Sequence, residues 1–250
     1  YVLRHGRVGR CQDYFTLRII SISLIKYMRK KICALIIARG GSKRIKNKNI
    51  VKVNKKPVIY FTLNELRKSK EIDKIFVMTD SLLIKKEVAK LKFNEVEVIG
   101  RSKKSSTDSA QSEIAISEFL NQYEYDYVYF VQLTNIFIKT KDVNDSINIF
   151  FKNKYDTMLS VIESDKFIWR EKNNKISPSN YKLDKRPLKK SLKDSYLLEN
   201  GSFYIFSSHG FKKNNNLRLY GKIGYYPMGK ETYFDIDDLD DLRIAAKLIA

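Results

Sequence analysis

Ile32-Cys33-Ala34-Leu35-Ile36-Ile37-Ala38, followed at once by Arg39-Gly40-Gly41-Ser42-Lys43-Arg44-Ile45-Lys46-Asn47-Lys48-Asn49, is the stretch on which the fold turns. A short apolar run closed by a glycine turn reads as a strand. The paired glycines let the backbone turn tightly and aim consecutive N–H groups at an anion, which the surrounding Arg and Lys side chains neutralise. At the carboxyl end of a first strand this suits a triphosphate. The spacing matches neither the Gly-x-x-x-x-Gly-Lys-Ser/Thr loop nor the Gly-x-Gly-x-x-Gly dinucleotide turn. Taken alone it leaves two readings open, a phosphate cradle and a plain surface turn.

Beyond this stretch, short apolar runs alternate with longer amphipathic ones, the pattern of strand–helix units around a mostly parallel sheet. The expected strands are Ile32–Ala38, Lys74–Thr79, Val96–Ile99, Tyr127–Gln132, Thr157–Ile162, Ser202–Phe206 and Lys222–Pro227. Helices are expected over Pro57–Lys70, Leu82–Leu91, Ala110–Tyr123, Asp142–Phe151 and Leu239–Ile249. The fold class is therefore α/β, with a Rossmann-like domain. Glu163–Glu199 breaks the rhythm: it is polar and Lys-rich and holds the single Trp. A structureless loop of that length is unusual in a compact domain, so this segment reads as an arm that packs on a partner subunit.

The 250-residue chain carries 48 Lys+Arg against 28 Asp+Glu, a net charge of +20. The basic residues are scattered and mixed with Asn rather than gathered into a stripe, so the solvated-surface reading stands ahead of nucleic-acid binding. No run of about 18 uncharged apolar residues is present to span a bilayer. Cys11 and Cys33 give neither a disulfide framework nor metal-ligand spacing, which fits a reducing cytoplasm. Only His5 and His209 are present, and His209 reads as a turn residue, so any chemistry falls to carboxylates, a hard metal, Lys and Arg. Residues 1–27 do not read like the rest; Met28 begins the regular pattern, and 1–27 is expected to be upstream read-through or a poorly ordered extension of a domain over 28–250.

Near the other end stands Asp235-Ile236-Asp237. Alternating positions put both carboxylates on one face with Ile236 turned inward. Two hard oxygen ligands suit Mg²⁺, which takes one or two carboxylates plus substrate phosphates. The same acidic run, with Asp238, also reads as the cap of the last helix, and from these residues alone capping is the favoured reading.

The loop, Phe76-Val77-Met78-Thr79-Asp80-Ser81, the Arg101…Asp108-Ser109-Ala110 stretch, Gln132, Glu199-Asn200-Gly201-Ser202-Phe203-Tyr204-Ile205 and Asp235-Ile236-Asp237 together resemble the acylneuraminate cytidylyltransferases, also called CMP-sialic acid synthetases. The resemblance runs from about Lys31 to Leu248 and keeps the family's order of motifs. It implies an enzyme that joins CTP to a nine-carbon 2-keto sugar acid, releasing pyrophosphate. It further implies a nucleotidyltransferase domain with a dimerisation arm, here 163–199, and a Mg²⁺-dependent homodimer.

Carried over by motif, Arg39, Gly41, Ser42, Lys43, Lys48 and Asn49 match the triphosphate loop. Arg101, Ala110 and Ser112 match the cytosine and ribose side, and Gln132, Asn200 and Tyr204 the sugar side. Asp235 and Asp237 match the metal pair, with Arg39, Lys48 and Asp237 as the catalytic set.

The chain departs from the family at several positions. The usual Lys-Gly-Ile-Pro is Lys43-Arg44-Ile45-Lys46, where the arginine resembles the pseudaminic branch. The usual Gln-Pro-Thr-Ser-Pro-Leu-Arg is Gln132-Leu133-Thr134-Asn135-Ile136-Phe137-Ile138, and Lys189-Lys190 stands near a usual arginine pair. Altered substrate specificity is the expected consequence. The competing readings are an eight-carbon sugar acid cytidylyltransferase and a catalytically silent or acceptor-shifted nucleotide-binding homologue.

Overall fold

Strand β1, Ile32–Ile37, lies in the interior of the sheet, paired on both sides. Its side chains alternate between two cores: Ala34 and Ile36 enter one, Cys33 and Leu35 the other. That two-sided burial is why the strand has no polar position. The computed structural model describes residues 30–42, 44–188 and 196–249. The expectations for 1–27, Cys11, Lys43 and Lys189-Lys190 lie outside these residues. The chain divides into two units, residues 1–31 and 32–250, and the elements below belong to the second.

After β1 come a 3₁₀ turn at Lys48–Ile50, the short hairpin β2 (Lys52–Val53) and β3 (Lys56–Pro57), and helix α1 (Val58–Leu66). Then follow β4 (Lys74–Thr79), α2 (Leu82–Lys90), β5 (Val96–Gly100), α3 (Ser112–Leu120), β6 (Tyr127–Val131) and α4 (Thr140–Lys152). The second half holds β7 (Thr157–Ser164), β8 (Trp169–Lys172), β9 (Lys175–Pro178), β10 (Tyr196–Ser207), α5 (Ser208–Lys213), β11 (Ile223–Pro227) and α6 (Leu239–Leu248). A second 3₁₀ turn covers Lys230–Tyr233.

Among the described residues the main sheet has seven strands in the order β11-β7-β10-β6-β1-β4-β5. Only β10 runs antiparallel to its neighbours, so the sheet is mostly parallel, as expected. Helices α1, α2 and α4 cover one face through Ile59, Leu63, Ile84, Val88, Ile147 and Phe150. Helices α3 and α5 cover the other through Ile116, Phe119 and Phe211.

Several bounds differ from the sequence reading. Strand β10 starts at Tyr196 rather than Ser202, because Glu199-Asn200-Gly201 forms a bulge whose polar residues hide the strand pattern. His209 lies in α5 rather than in a turn, with Ser207 accepting from Gly210 N at the helix start. Helix α1 begins after Pro57, which caps it in an extended conformation. Within 163–199, β8 and β9 form a hairpin in which Trp169 and Ile176 are exposed.

Candidate active site

From β1 the chain crosses to β4 on one side of the sheet, whereas from β6, the strand beside β1, it crosses to β7 on the other side, so the strand order reverses between β1 and β6. The carboxyl ends of neighbouring strands therefore open a crevice, where α/β sheets bind ligands. A cavity of about 480 Å³ lies there, lined by Ile37 from β1 and by Phe130, Val131, Gln132, Leu133 and Thr134 at the end of β6.

Four cationic side chains enter its lining, Arg39, Arg44, Lys48 and Arg101, together with Ser42 and Asn49 of the glycine loop. Ala110 and Ser112, at the start of α3, line it as well. The loop is held from three sides. Gly40 N donates to Asp80 Oδ1 at 3.0 Å, and a β-carbon on Gly40 would sit 2.9 Å from Ser81 Cβ, so only glycine fits. Asn49 Nδ2 donates to the Arg39 carbonyl at 3.0 Å. Ile45 packs in a small apolar cluster with Val53, Ile136 and Ile236.

That cluster explains how residues far apart in sequence meet. Ile236 is fully buried in it, which turns Asp235 and Asp237 outward, as the alternation argument expects, although no strand forms there. Lys48 Nζ donates to the Ile236 carbonyl at 2.7 Å and to Asp237 Oδ1 at 3.1 Å. Arg44 Nη1 reaches Asp237 Oδ2 at 2.8 Å. Partial desolvation pushes the Asp237 carboxyl up, but Lys48 and Arg44 outweigh it and hold the group below the usual carboxylate range.

For Asp235, desolvation by protein atoms around the carboxyl wins. With the negative Asp237 adding to it, the group is pushed up against the Thr134 hydroxyl and Lys48. The residue as a whole is exposed. Capping falls to neither residue. Asp238 accepts from Asp240 N and Asp241 N at 2.9 Å each, and Asp241 returns bonds to Asp237 N and Asp238 N.

Arg101 is set by a polar knot. Its Nη2 donates to the Ser105 carbonyl, while Ser102 and the buried Ser105 both donate to Glu118 on α3, Ser105 Oγ at 2.8 Å. Desolvation pushes the Glu118 carboxyl up, but those hydroxyls and Arg101 prevail and lower it. Arg39 Nη1 lies 2.6 Å from Asp108 Oδ1 on the same loop.

Of the expected site residues, Gly41, Asp235, Asn200 and Tyr204 are not in the cavity lining. Tyr204 stacks beneath Phe130 at 6.0 Å between ring centroids and donates its hydroxyl to Glu199. Asn200 Nδ2 donates to Thr232 Oγ1 at 2.8 Å. Gly201, at φ +65°, brings its backbone against the Gln132 side chain. In the altered 132–138 segment, Asn135, Ile136, Phe137 and Ile138 are buried and do not line the cavity, whereas Gln132, Leu133 and Thr134 do.

Sequence reasoning gave no role to Asp80, Asp108, Glu118 or Thr134. Asp80 and Asp108 both stand in the motifs quoted above, and Asp80, directly after β4, is also a carboxylate at the carboxyl end of a sheet strand. The donor set at Asp235 and Asp237 fits a hard cation that shares its shell with phosphate oxygens and water. Among the described residues no group of three or more His, Cys, Asp or Glu forms a fuller cage.

A family model described as Cytidylyltransferase matches residues 33–248. An N-acylneuraminate cytidylyltransferase of Oncorhynchus mykiss is 34% identical over 219 residues, 85% of this chain and 49% of that protein. The chain thus spans about half the length of that relative. The post-translational flagellin modification protein B of Campylobacter coli is 27% identical and is covered over 95% of its length by 88% of this chain. A CMP:2-keto-3-deoxy-manno-octonic acid synthetase complexed with CTP shares the fold, with a TM-score of 0.67 at 15% identity over 88% of this chain and 98% of that one. With a loop-and-carboxylate cavity at the switch point of the sheet and a family match across nearly all of the second unit, this chain belongs to the cytidylyltransferase family.

Proposed function

We propose that this protein transfers CMP from CTP to the anomeric hydroxyl of a nine-carbon 2-keto sugar acid of sialic, legionaminic or pseudaminic type, releasing pyrophosphate, for surface glycan synthesis. The observation that carries this reading is the convergence of Arg39, Arg44, Lys48 and Arg101 on one cavity whose rim bears Asp237. CTP and the sugar acid together bring about five negative charges. A cationic cavity captures such substrates and neutralises the charge that moves between phosphate oxygens.

The hydroxyl must attack the α-phosphorus in line with departing pyrophosphate, so catalysis is mainly positioning and charge neutralisation. Arg39 and Lys48 hold the phosphates. Arg101, fixed by Ser105 and Glu118, faces the base and ribose side with Ala110 and Ser112. Gln132 lines the sugar side, with Asn200 and Tyr204 supporting it from β10. Asp235 and Asp237 would hold Mg²⁺, which supplies charge neutralisation and a lowered pKa for the attacking hydroxyl.

The similarity to a flagellin modification protein across almost its whole length favours looking beyond N-acylneuraminate for the acceptor. The exposed hairpin of β8 and β9, with Trp169, supports the 163–199 arm as the contact of a homodimer. A cytoplasmic site of action and the lack of nucleic-acid or membrane partners belong to the same proposal. Among the described residues no helix is long and apolar enough to cross a membrane. Equilibrium binding of the four ribonucleoside triphosphates tests the nucleotide part. CTP is expected to bind at least about tenfold more tightly than UTP, a difference of about 1.4 kcal/mol. Equal binding of all four contradicts it.

A further inference from the structure

The cavity that gathers four cations is also lined by two carboxylates, Asp237 and Asp108. Asp237 is matched by Lys48 and Arg44. Asp108 stands elsewhere, on the loop between β5 and α3, and its Oδ1 accepts from Arg39 Nη1 at 2.6 Å. This is a short, charge-assisted contact to a guanidinium that the glycine loop presents to the same cavity. Both side chains keep solvent access, 36% for Arg39 and 49% for Asp108, so the pair is open to exchange with an incoming anion rather than locked in the core.

We infer that Asp108 is a positioning residue that competes with phosphate for Arg39 and thereby promotes the departure of pyrophosphate. The inference rests on the cytidylyltransferase reading proposed above. A phosphate chain that enters the cavity must take Arg39 from Asp108 and accept a fixed negative charge beside it. The triphosphate pays this on entry, and pyrophosphate, which carries the same terminal phosphates, is held less tightly for the same reason. After the bond to the α-phosphorus breaks, Asp108 recovers Arg39 and the product loses one of its cationic contacts. The carboxylate acts through Arg39 and touches no reacting atom.

Asp108→Asn keeps the shape and an acceptor oxygen while removing the charge. In the full chain, with Mg²⁺ present, the expected result is tighter binding of inorganic pyrophosphate by about two- to fivefold, the range of an exposed ion pair. Stronger product inhibition by the same factor should accompany it. Asp108→Glu should bring pyrophosphate binding back toward the original value. A merely structural role predicts the opposite sign, since a disordered Arg39 loosens both pyrophosphate and CTP. Thermal unfolding of each variant shows whether the fold is kept, and Asp108→Ala provides a second variant without the charge. If the unaltered protein binds pyrophosphate and CTP but Asp108→Asn binds pyrophosphate equally or more weakly, the inference about Asp108 is overturned alone. If the unaltered protein binds neither, the cytidylyltransferase reading falls and this inference falls with it.

Discussion

Lys48 and Asp237 stand 189 positions apart in sequence and 3.1 Å apart across the cavity. Lys48 also donates to the carbonyl of Ile236, the residue whose burial turns Asp237 outward. The apolar cluster under the glycine loop is therefore what brings Lys48 and Asp237 together. Core packing and site geometry share the same residues here.

Lys48→Ala and Asp237→Ala should each lower turnover by on the order of a hundredfold or more, the loss seen when one electrostatic contact to a transition state is removed. Both side chains are on the surface of the cavity, so circular dichroism should show the fold intact. A variant that turns over normally removes its residue from the catalytic set.

Gly201→Ala tests the bulge in β10. At φ +65° a β-carbon would lie 3.2 Å from Gln132 Oε1. A left-handed alanine costs about 1–2 kcal/mol, and the shifted Gln132 should raise KM for the sugar acid more than KM for CTP. Thermal melts and steady-state kinetics check both parts, and equal changes in the two KM values contradict the placement of Gln132.

Glu118→Gln tests the knot that fixes Arg101. Losing the charge that gathers Ser102 and Ser105 should weaken CTP binding about three- to tenfold, the net worth of one ordinary hydrogen bond. Calorimetric titration with CTP reads this directly. Unchanged affinity means Arg101 is positioned without Glu118.

Glu65 ties α1 to the start of α4: its Oε2 accepts from Thr140 N at 3.0 Å and from Thr140 Oγ1 at 2.8 Å. Desolvation pushes its carboxyl up, but Lys68 and Thr140 prevail and lower it. A lowered folded pKa means the stabilisation is present above the unfolded value of about 4.3 and is lost as pH falls through the folded value. Glu65→Gln should therefore cost about 1–2 kcal/mol at neutral pH and make the unfolding midpoint less sensitive to acid below pH of about 4.3. Urea denaturation at several pH values measures both.

The sheet was largely legible because its strands are continuous apolar runs. Lys74–Thr79 matches residue for residue, and β1 differs only at Ala38. Strand β10 was not read at full length, because Asn200 and Gly201 interrupt it with residues that serve the bulge. The hairpin of β8 and β9 was hidden by polar residues that face solvent on a two-stranded ribbon with no core beneath them. At the site, the loop was readable from its glycines and its position after a buried strand. Its partners were not. Asp80 and Asp108 meet Gly40 and Arg39 from 40 and 69 positions away, and no period or local spacing marks such pairs. Likewise, the altered 132–138 segment looked like a change at the substrate side. Burial of Asn135 through Ile138 makes it in good part a change of packing.

Pyrophosphate release with CTP and Mg²⁺, measured against a panel of neuraminic, legionaminic and pseudaminic acids and repeated with EDTA, decides whether this protein transfers CMP to a nine-carbon sugar acid. Release with one of these sugars, abolished by EDTA, is the predicted result. Binding of CTP without release for any sugar in the panel would contradict it and point to another acceptor or to a silent nucleotide-binding role.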